Sequence, residues 1–367
     1  TGRGAQGNLI KENSIDGGDT GIELDNSSEN RLDGNEIAES SVGIRLSSSD
    51  DNELKGNRIE AAQTALLLEG SHRNRLLGNA ISGSDRGLVF DRASGNSLEK
   101  NSFSGGEPLQ IIGEAVDDWL QEIDKTNTID GRAIYYLVGE ENLTIDATMN
   151  PGYIMLIRCK NITVAGLNLS GQGILLIETE AATVRGNRIT GAKEGISLWR
   201  SANDLLEGNT ISGGEIGIHL RGSTAEILSQ NDISGSGIGI LIAGGGGDLL
   251  EGNEIAESAR HGISLESSNN NRIKGNGVRG SKEYGILIRA ARGNIVEANE
   301  LLQNWVGLFL QGAQANTIKG NKAHENNFGI YLADSQGNKI MENELAENVR
   351  AGLAGSLEGN KVEGNKD

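Results

Sequence analysis

Asparagine recurs at a fixed interval along most of this chain, and the interval constrains the fold more than any other feature of the sequence. The anchor positions, with steps of 22 or 23 apart from one break, are Asn13, Asn35, Asn57, Asn79, Asn101, Asn187, Asn209, Asn231, Asn253, Asn276, Asn299, Asn321, Asn343 and Asn365. So regular a step in one residue type indicates a single structural unit that is stacked on itself.

Each repeat has further fixed positions. A second asparagine usually stands five residues before the anchor, and the residues at this position are Asn8, Asn30, Asn52, Asn74, Asn96, Asp204, Glu226, Asp248, Asn271, Asn294, Asn316, Asn338 and Asn360. The stretch that begins at this second asparagine reads N-x-φ-x-G-N-x-φ, where φ is an apolar residue. About eight residues after the anchor, a glycine precedes an aliphatic residue, as in Gly217-Ile218, and opens another alternating run. Each repeat is therefore predicted to contain two or three short strands separated by polar corners.

Three architectures have repeats of about this length. A leucine-rich repeat lacks the second asparagine and fills the rest of its repeat with a helix or an arc, and an antiparallel meander gives no reason for identical residues to align. Asn and Gly adopt left-handed backbone conformations at low cost, so they suit one corner per coil, and inward asparagines can bond to each other as a ladder. We therefore predict an all-β right-handed parallel β-helix of about 16 coils with repeats of about 22 residues and one irregular insert.

The repeats resemble those of NosD-like parallel β-helix proteins. The middle segment, Asn127 to Leu137 followed by Cys159 to Leu169, resembles the insert that is common in archaeal NosD-like surface proteins. The resemblance covers nearly the whole chain and implies the fold, whereas a fold shared by lyases, hydrolases, adhesins and structural proteins does not select a function. The family name NosD implies an accessory role in copper binding. The four histidines, His72, His219, His261 and His324, are not closely spaced, however, and the chain has only three methionines, so we predict no metal site and no cofactor.

The repeat is interrupted between Asn101 and Asn187. We predict three segments, which are N-terminal coils over 1–103, an irregular insert over 104–141 and C-terminal coils over 142–367, within one continuous solenoid. Residues Ala115 to Ile123 have the apolar spacing of a short amphipathic helix. Such a helix would either cover a side of the coils or bind a partner, and the insert would act as a cover or as an elbow.

Composition excludes several classes of partner. The net charge of −18 opposes binding to nucleic acid, and no apolar run approaches the ~20 residues of a membrane span. Cys159 is the only cysteine, so no intrachain disulfide can form. The chain opens within the repeat pattern, so it is either a mature product or a portion of a longer precursor.

Sequons at Asn26, Asn142, Asn161 and Asn168 favour an exported, glycosylated protein at the cell surface, although Asn161 and Asn168 could instead point inward at corners.

Two sets of residues on outward columns are candidate contact sites. Trp199, His219 and Arg221 could hold an acidic sugar by ring stacking and charge pairing, and the alternative is an ordinary polar face. A second set forms an apolar stripe, which usually marks a protein interface, and comprises Leu241, Leu287, Phe309 and Tyr331. The alternative is that the insert or the C-terminal tail of the same chain covers this stripe.

No phosphate loop, zinc-protease motif or serine-hydrolase elbow is present, and the outward columns of the repeat offer no candidate carboxylate cluster for catalysis. The predicted function is therefore a non-catalytic extracellular β-helix that serves as a rigid cell-surface or envelope-layer component. No convincing cap closes the repeat at either end, so self-association, or association with other envelope proteins, is expected. The alternative is a β-helix that binds or cleaves polysaccharide.

Overall fold

The computed structural model of the chain describes residues 2–60 and 62–367, and it consists almost entirely of short parallel strands. Each regular coil contributes a strand of about six residues to a long-strand sheet and strands of about three residues to two short-strand sheets. Residues one repeat apart pair in register, so that Leu66 lies between Ile44 and Leu88. This is the predicted parallel β-helix.

The chain divides into two compact units. The N-terminal unit holds the described residues up to Val138 together with Asn150–Ile157, and the C-terminal unit holds Gly139–Met149 together with Arg158–Asp367.

The N-terminal unit has three parallel sheets. Its long-strand sheet comprises Gly2–Arg3, Thr20–Asp25, Val42–Ser47, Thr64–Glu69, Arg86–Asp91 and Glu107–Ile112. Its first short-strand sheet comprises Leu9–Lys11, Arg31–Asp33, Glu53–Lys55, Arg75–Leu77, Ser97–Glu99 and Glu122–Ile123. Its second short-strand sheet comprises Ser14–Asp16, Glu36–Ala38, Arg58–Glu60, Ala80–Ser82, Ser102–Ser104 and Thr128–Ile129. After a turn at Asp130-Gly131, Arg132–Val138 pairs antiparallel with Thr128–Ile129 and parallel with Tyr153–Ile157.

The C-terminal unit repeats the same arrangement. Its long-strand sheet comprises Ile174–Ile177, Glu194–Trp199, Ile216–Arg221, Ile238–Ala243, His261–Glu266, Tyr284–Arg289, Val306–Gln311, Phe328–Ala333 and Ala351–Gly355. Its first short-strand sheet comprises Thr144–Asp146, Thr163–Ala165, Thr183–Arg185, Leu205–Glu207, Ile227–Ser229, Leu249–Glu251, Arg272–Lys274, Ile295–Glu297, Thr317–Lys319, Lys339–Met341 and Lys361–Glu363. Its second short-strand sheet comprises Asn168–Ser170, Arg188–Thr190, Thr210–Ser212, Asp232–Ser234, Glu254–Ala256, Gly277–Arg279, Glu300–Leu302 and Lys322–His324.

The anchor asparagines form the expected ladder inside the coils. Asn209 is fully buried, and its side-chain amide donates at 2.9 Å both to the side-chain oxygen of Asn231 and to the carbonyl of Val184. Each rung thereby pairs backbone groups that the corner would otherwise leave unbonded. The glycine before this anchor supplies the corner conformation, because Gly208 has φ of +61°. A shorter ladder of Asn304, Asn326 and Asn348 was not anticipated from the sequence.

The helix predicted over 115–123 is wrong. This segment contains only a four-residue 3₁₀ turn, Val116–Trp119, because the backbone is already extended at Leu120. The chain then returns to the ladder at Gln121, whose side-chain oxygen accepts a 2.9 Å bond from the backbone of Asn96. The only other helical turn among the described residues is Ala147–Met149, and none of the described helices is long and apolar enough to cross a membrane.

Candidate functional site

A polar cluster lies on the outward face of the long-strand sheet in the C-terminal unit. In the strand Glu194–Trp199, Ile196 and Leu198 point into the core, so Ser197 and Trp199 point outward. The ladder pairs Glu194 with Ile216 and Ile196 with Ile218, and it passes over Gly195. The irregularity at this glycine lets Glu194 share the outward face.

Glu194 is the centre of this cluster. Its Oε1 lies 2.6 Å from Nη2 of Arg221 and 3.1 Å from Nδ1 of His219, while the hydroxyl of Ser197 donates to its Oε2. Nε of Arg221 also lies 3.2 Å from Nδ1 of His219. His219 is almost completely buried, whereas the Arg221 side chain is 54% exposed.

The charges of the cluster hold Glu194 ionised. Burial raises the pKa of Glu194, but hydrogen bonds from His219 and Ser197, together with the charge of Arg221, outweigh burial and lower its pKa to about 2. A permanent anion therefore fixes the positions of His219 and Arg221 at neutral pH.

An aromatic ring adjoins the cations of this cluster. Trp199 is half-buried and pairs in register with Arg221, and the Arg200 guanidinium lies 4.9 Å from the Trp199 ring centroid. The structure thus brings together the three predicted sugar-contact residues, and it adds Glu194 and Arg200. The predicted columns begin after the Gly-aliphatic pair and so do not include Glu194, although the position before each glycine recurs with the same period.

The predicted apolar stripe contributes Phe309 and Tyr331 to a run of four aromatic rings in sequential contact, and the other two rings were not predicted. Centroid distances are 4.7 Å from Tyr284 to Phe309, 5.7 Å from Phe309 to Tyr331 and 5.3 Å from Tyr331 to Phe328. We call these four residues the aromatic surface. Among the other predicted stripe residues, Leu241 is half-buried, but Leu287 is fully buried and so offers no contact area.

Trp305 lies at the corner before Val306–Gln311 and is 48% exposed. The guanidinium of Arg350 lies 5.7 Å from the Trp305 ring centroid and 5.6 Å from the Phe328 ring centroid, so it links this corner to the aromatic surface.

The four sequon asparagines are all exposed. Asn161 and Asn168 therefore do not point inward, and the Asn161 amide donates to the side-chain oxygen of Asn142 at 2.7 Å. Their glycosylation remains a prediction.

Side chains that favour copper do not converge. Copper prefers His, Cys and Met ligands, but no three His, Cys, Asp or Glu side chains among the described residues are grouped so as to hold a metal ion. His219 is engaged by Glu194, and Cys159 is buried in the core. The described residues do not fit a copper centre.

Solved structures of the same fold include carbohydrate-active and phage proteins. The periplasmic alginate epimerase AlgG has 13% identity and a TM-score of 0.54, with 89% of this chain and 77% of that chain covered. The mannuronan C-5 epimerase AlgE6 A-module of Azotobacter vinelandii has 14% identity and a TM-score of 0.54, with 92% and 90% covered. Tailspike protein 3 of bacteriophage CBA120 has 13% identity and a TM-score of 0.52, with 94% of this chain but only 56% of that chain covered. At these identities the likeness shows the fold alone.

Sequence families identify the chain more closely. No curated protein sequence matches it at a significant level. Residues 217–367 match the family described as a right handed beta helix region, and residues 3–134 and 120–258 match the family described as periplasmic copper-binding protein (NosD). The two NosD matches together extend over more than half of the sequence. The chain is therefore a member of the NosD family, and it folds as a right-handed parallel β-helix.

Proposed function

We propose that the protein is a non-catalytic β-helix of the cell envelope that binds an acidic polysaccharide on the outward face of its C-terminal long-strand sheet. The observation that carries the proposal is the cluster of Glu194, His219 and Arg221 beside Trp199. An exposed guanidinium forms bidentate hydrogen bonds with a sugar carboxylate, and an indole ring stacks on the apolar face of a pyranose.

Each side chain of the cluster has a separate role in this proposal. Glu194 holds the guanidinium of Arg221 at 2.6 Å and so restricts its rotamers before the ligand arrives. Arg200, which is exposed above the Trp199 ring, supplies a second cation. His219 is buried between its partners, which supports a positioning role rather than direct contact with the ligand.

Local cations are necessary because the whole chain repels polyanions. The net charge is −18, but beyond about 8 Å the repulsion is largely screened at physiological salt. Contacts at the cluster can therefore dominate binding. Two of the solved proteins with this fold are named for alginate and mannuronan epimerisation, and an acidic polysaccharide is accordingly the first ligand to test.

The test is titration calorimetry with alginate oligosaccharides and with a neutral glucan of the same length. We expect binding of the acidic oligosaccharide only, with Trp199→Ala and Arg221→Ala each weakening it roughly tenfold, which corresponds to about 1.4 kcal/mol. Arg289→Ala is the matched control, because Arg289 is exposed in the same outward column and its Nε donates to Gln311 at 3.0 Å.

Three outcomes would contradict the proposal. These are no binding of any acidic saccharide, binding that Trp199→Ala and Arg221→Ala leave unchanged, and cleavage or epimerisation of the oligosaccharide that His219→Ala abolishes. The last outcome would assign the cluster a catalytic role.

A second candidate function, self-association, is favoured by the aromatic surface. Its rings are only half-buried, and Trp305, which Arg350 links to this surface, is 48% exposed. Contiguous apolar area of this kind on a solenoid commonly marks a contact surface, and the occupant we propose is a second copy of the chain.

A further inference from the structure

The second asparagine ladder changes from amides to acids over three consecutive coils. Asp204, Glu226 and Asp248 take the place of asparagine, and all three are fully buried. Their acceptor bonds are kept. The backbone of Asp204 donates to Oε2 of Glu226 at 2.6 Å, and the backbone of Glu226 donates to Oδ1 of Asp248 at 2.9 Å. The backbone of Asp248 donates in turn to Asn271 Oδ1 at 3.0 Å, so the ladder resumes there.

The donor bonds of the ladder are lost at these rungs. In an amide rung, Nδ2 of Asn294 donates to Oδ1 of Asn316 at 3.0 Å and to the carbonyl of Ser268 at 3.1 Å. An ionised carboxylate has no proton to donate in this position. Oε1 of Glu226 and Oδ2 of Asp248 are accordingly buried without any hydrogen-bond partner. Only Asp204 has its second oxygen satisfied, by the hydroxyl of Thr179 at 2.7 Å.

Among residues 2–60 and 62–367, no cation compensates the acidic column. The groups that act on it electrostatically are its own three members and Glu180, which is itself paired with Lys160 at 2.9 Å. The corner before Asp248 consists of Gly244 to Gly247, which brings no charge. Two ionised carboxylates on adjacent rungs, about 4.8 Å apart at the ordinary strand spacing, would repel each other strongly in this buried environment.

We propose that the acidic column is a proton-dependent segment of the ladder, complete only while Glu226 and Asp248 carry protons, so that these coils lose stability as the pH rises. A protonated carboxyl regains a donor and can bond to the next rung as the asparagine amide does. The same coils carry Trp199, His219 and Arg221, so a loss of stability in the acidic column would affect the part of the molecule that holds the candidate site. The proposal does not depend on carbohydrate binding.

The direction of the pH dependence follows from the shifts. Burial raises the pKa of Glu226 to about 9, with the charges of Asp204 and Asp248 adding to the effect, and burial raises the pKa of Asp204 and of Asp248 to about 6. The unfolded chain releases these protons near pH 4, so the folded state binds more protons above that pH and its stability falls as pH rises. The loss of stability caused by deprotonation of the two aspartates is complete above about pH 6, and the loss caused by Glu226 is complete above about pH 9.

The test compares the wild-type protein with Glu226→Gln and with Asp248→Asn, which restore an amide donor. Chemical unfolding is measured from pH 5 to pH 9, with Glu207→Gln as the control, because Glu207 is exposed on the same coil as Asp204. From about pH 6 to 9 the folding constant of the wild type should fall up to tenfold per pH unit relative to Glu226→Gln. Glu207→Gln should follow the wild type.

A second measurement applies even if an amide variant fails to fold. Infrared spectroscopy of the wild-type protein at pH 7 should show the carbonyl band of a buried, protonated carboxyl group, and this band should disappear as the pH passes about 9. A pH-independent difference between the wild type and Glu226→Gln, or the absence of a protonated carboxyl band at pH 7, would overturn the proposal.

Discussion

At the scale of single residues, buried asparagine side chains satisfy the backbone groups at the corners of most coils. A corner exposes backbone groups to the interior, and a buried asparagine offers a donor and an acceptor that match them. The match is specific to the amide. Where an acid replaces asparagine the acceptor bonds survive, but a buried oxygen is left unpartnered at Glu226 and at Asp248.

Removal of one rung tests how much the amide contributes. We expect Asn209→Ala to lower the free energy of unfolding by roughly 1–3 kcal/mol, because the backbone of Asn187 and the carbonyl of Val184 would lose their partners in the core. Chemical unfolding would measure the change. Asp232→Ala, an exposed substitution next to Asn231, is the control and should have little effect. Equal stability of the two variants would contradict the role assigned to the ladder.

At the scale of elements, the Gly-aliphatic pair sets how closely successive long strands approach. A Cβ atom built on Gly217 would lie 2.6 Å from the carbonyl oxygen of Gly239 and 2.5 Å from Cγ2 of Ile233. No side chain fits there without a backbone shift. The glycine is therefore required by packing between coils, since its own φ is not in the left-handed region.

We therefore expect Gly217→Ala to destabilise the C-terminal unit by about 1–3 kcal/mol, in the manner of an overpacked core. Thermal and chemical unfolding are the measurements. Gly237 is not a useful control, because its Cβ would also meet a carbonyl, that of Glu215, at 2.5 Å. Ser212→Ala, at a half-buried position in the strand before Gly217, tests a small change without a clash. If Gly217→Ala were as stable as Ser212→Ala, the packing argument would be wrong.

At the scale of the whole molecule, the strong negative charge and the apolar surface have opposite effects on self-association. The charge of −18 disfavours contact between copies of the chain, whereas the aromatic surface favours it. Salt screens the first effect and leaves the second in place. The balance between them should therefore shift with ionic strength.

Self-association should accordingly increase with both protein concentration and salt. Light scattering over a concentration series at low and high salt would measure the mass. Phe309→Ser should reduce association, whereas Gln311→Ser, an exposed change in the same strand, should not. A monomer at every concentration and salt, or equal association of the two variants, would remove the aromatic surface as an interface.

The fold and its register were predictable because each coil repeats the same local solution. Asn209, Gly208 and the aliphatic residues between the corners each serve the same role one period later, so their spacing in the sequence is their spacing in the stack. The same regularity predicts from the sequence that Trp199, His219 and Arg221 lie side by side, since residues one period apart share an outward column.

Features without a repeat, or that depend on several coils at once, were decided only by the tertiary structure. The helix expected over 115–123 gave way to a single 3₁₀ turn because Gln121 joins the ladder. Leu287 has an outward position but is buried, because burial depends on neighbouring side chains as well as on strand alternation. The meeting of Glu194 with Arg221, 27 residues later, and the unpartnered oxygen of Glu226 likewise depend on side-chain positions across coils, which a one-dimensional pattern does not contain.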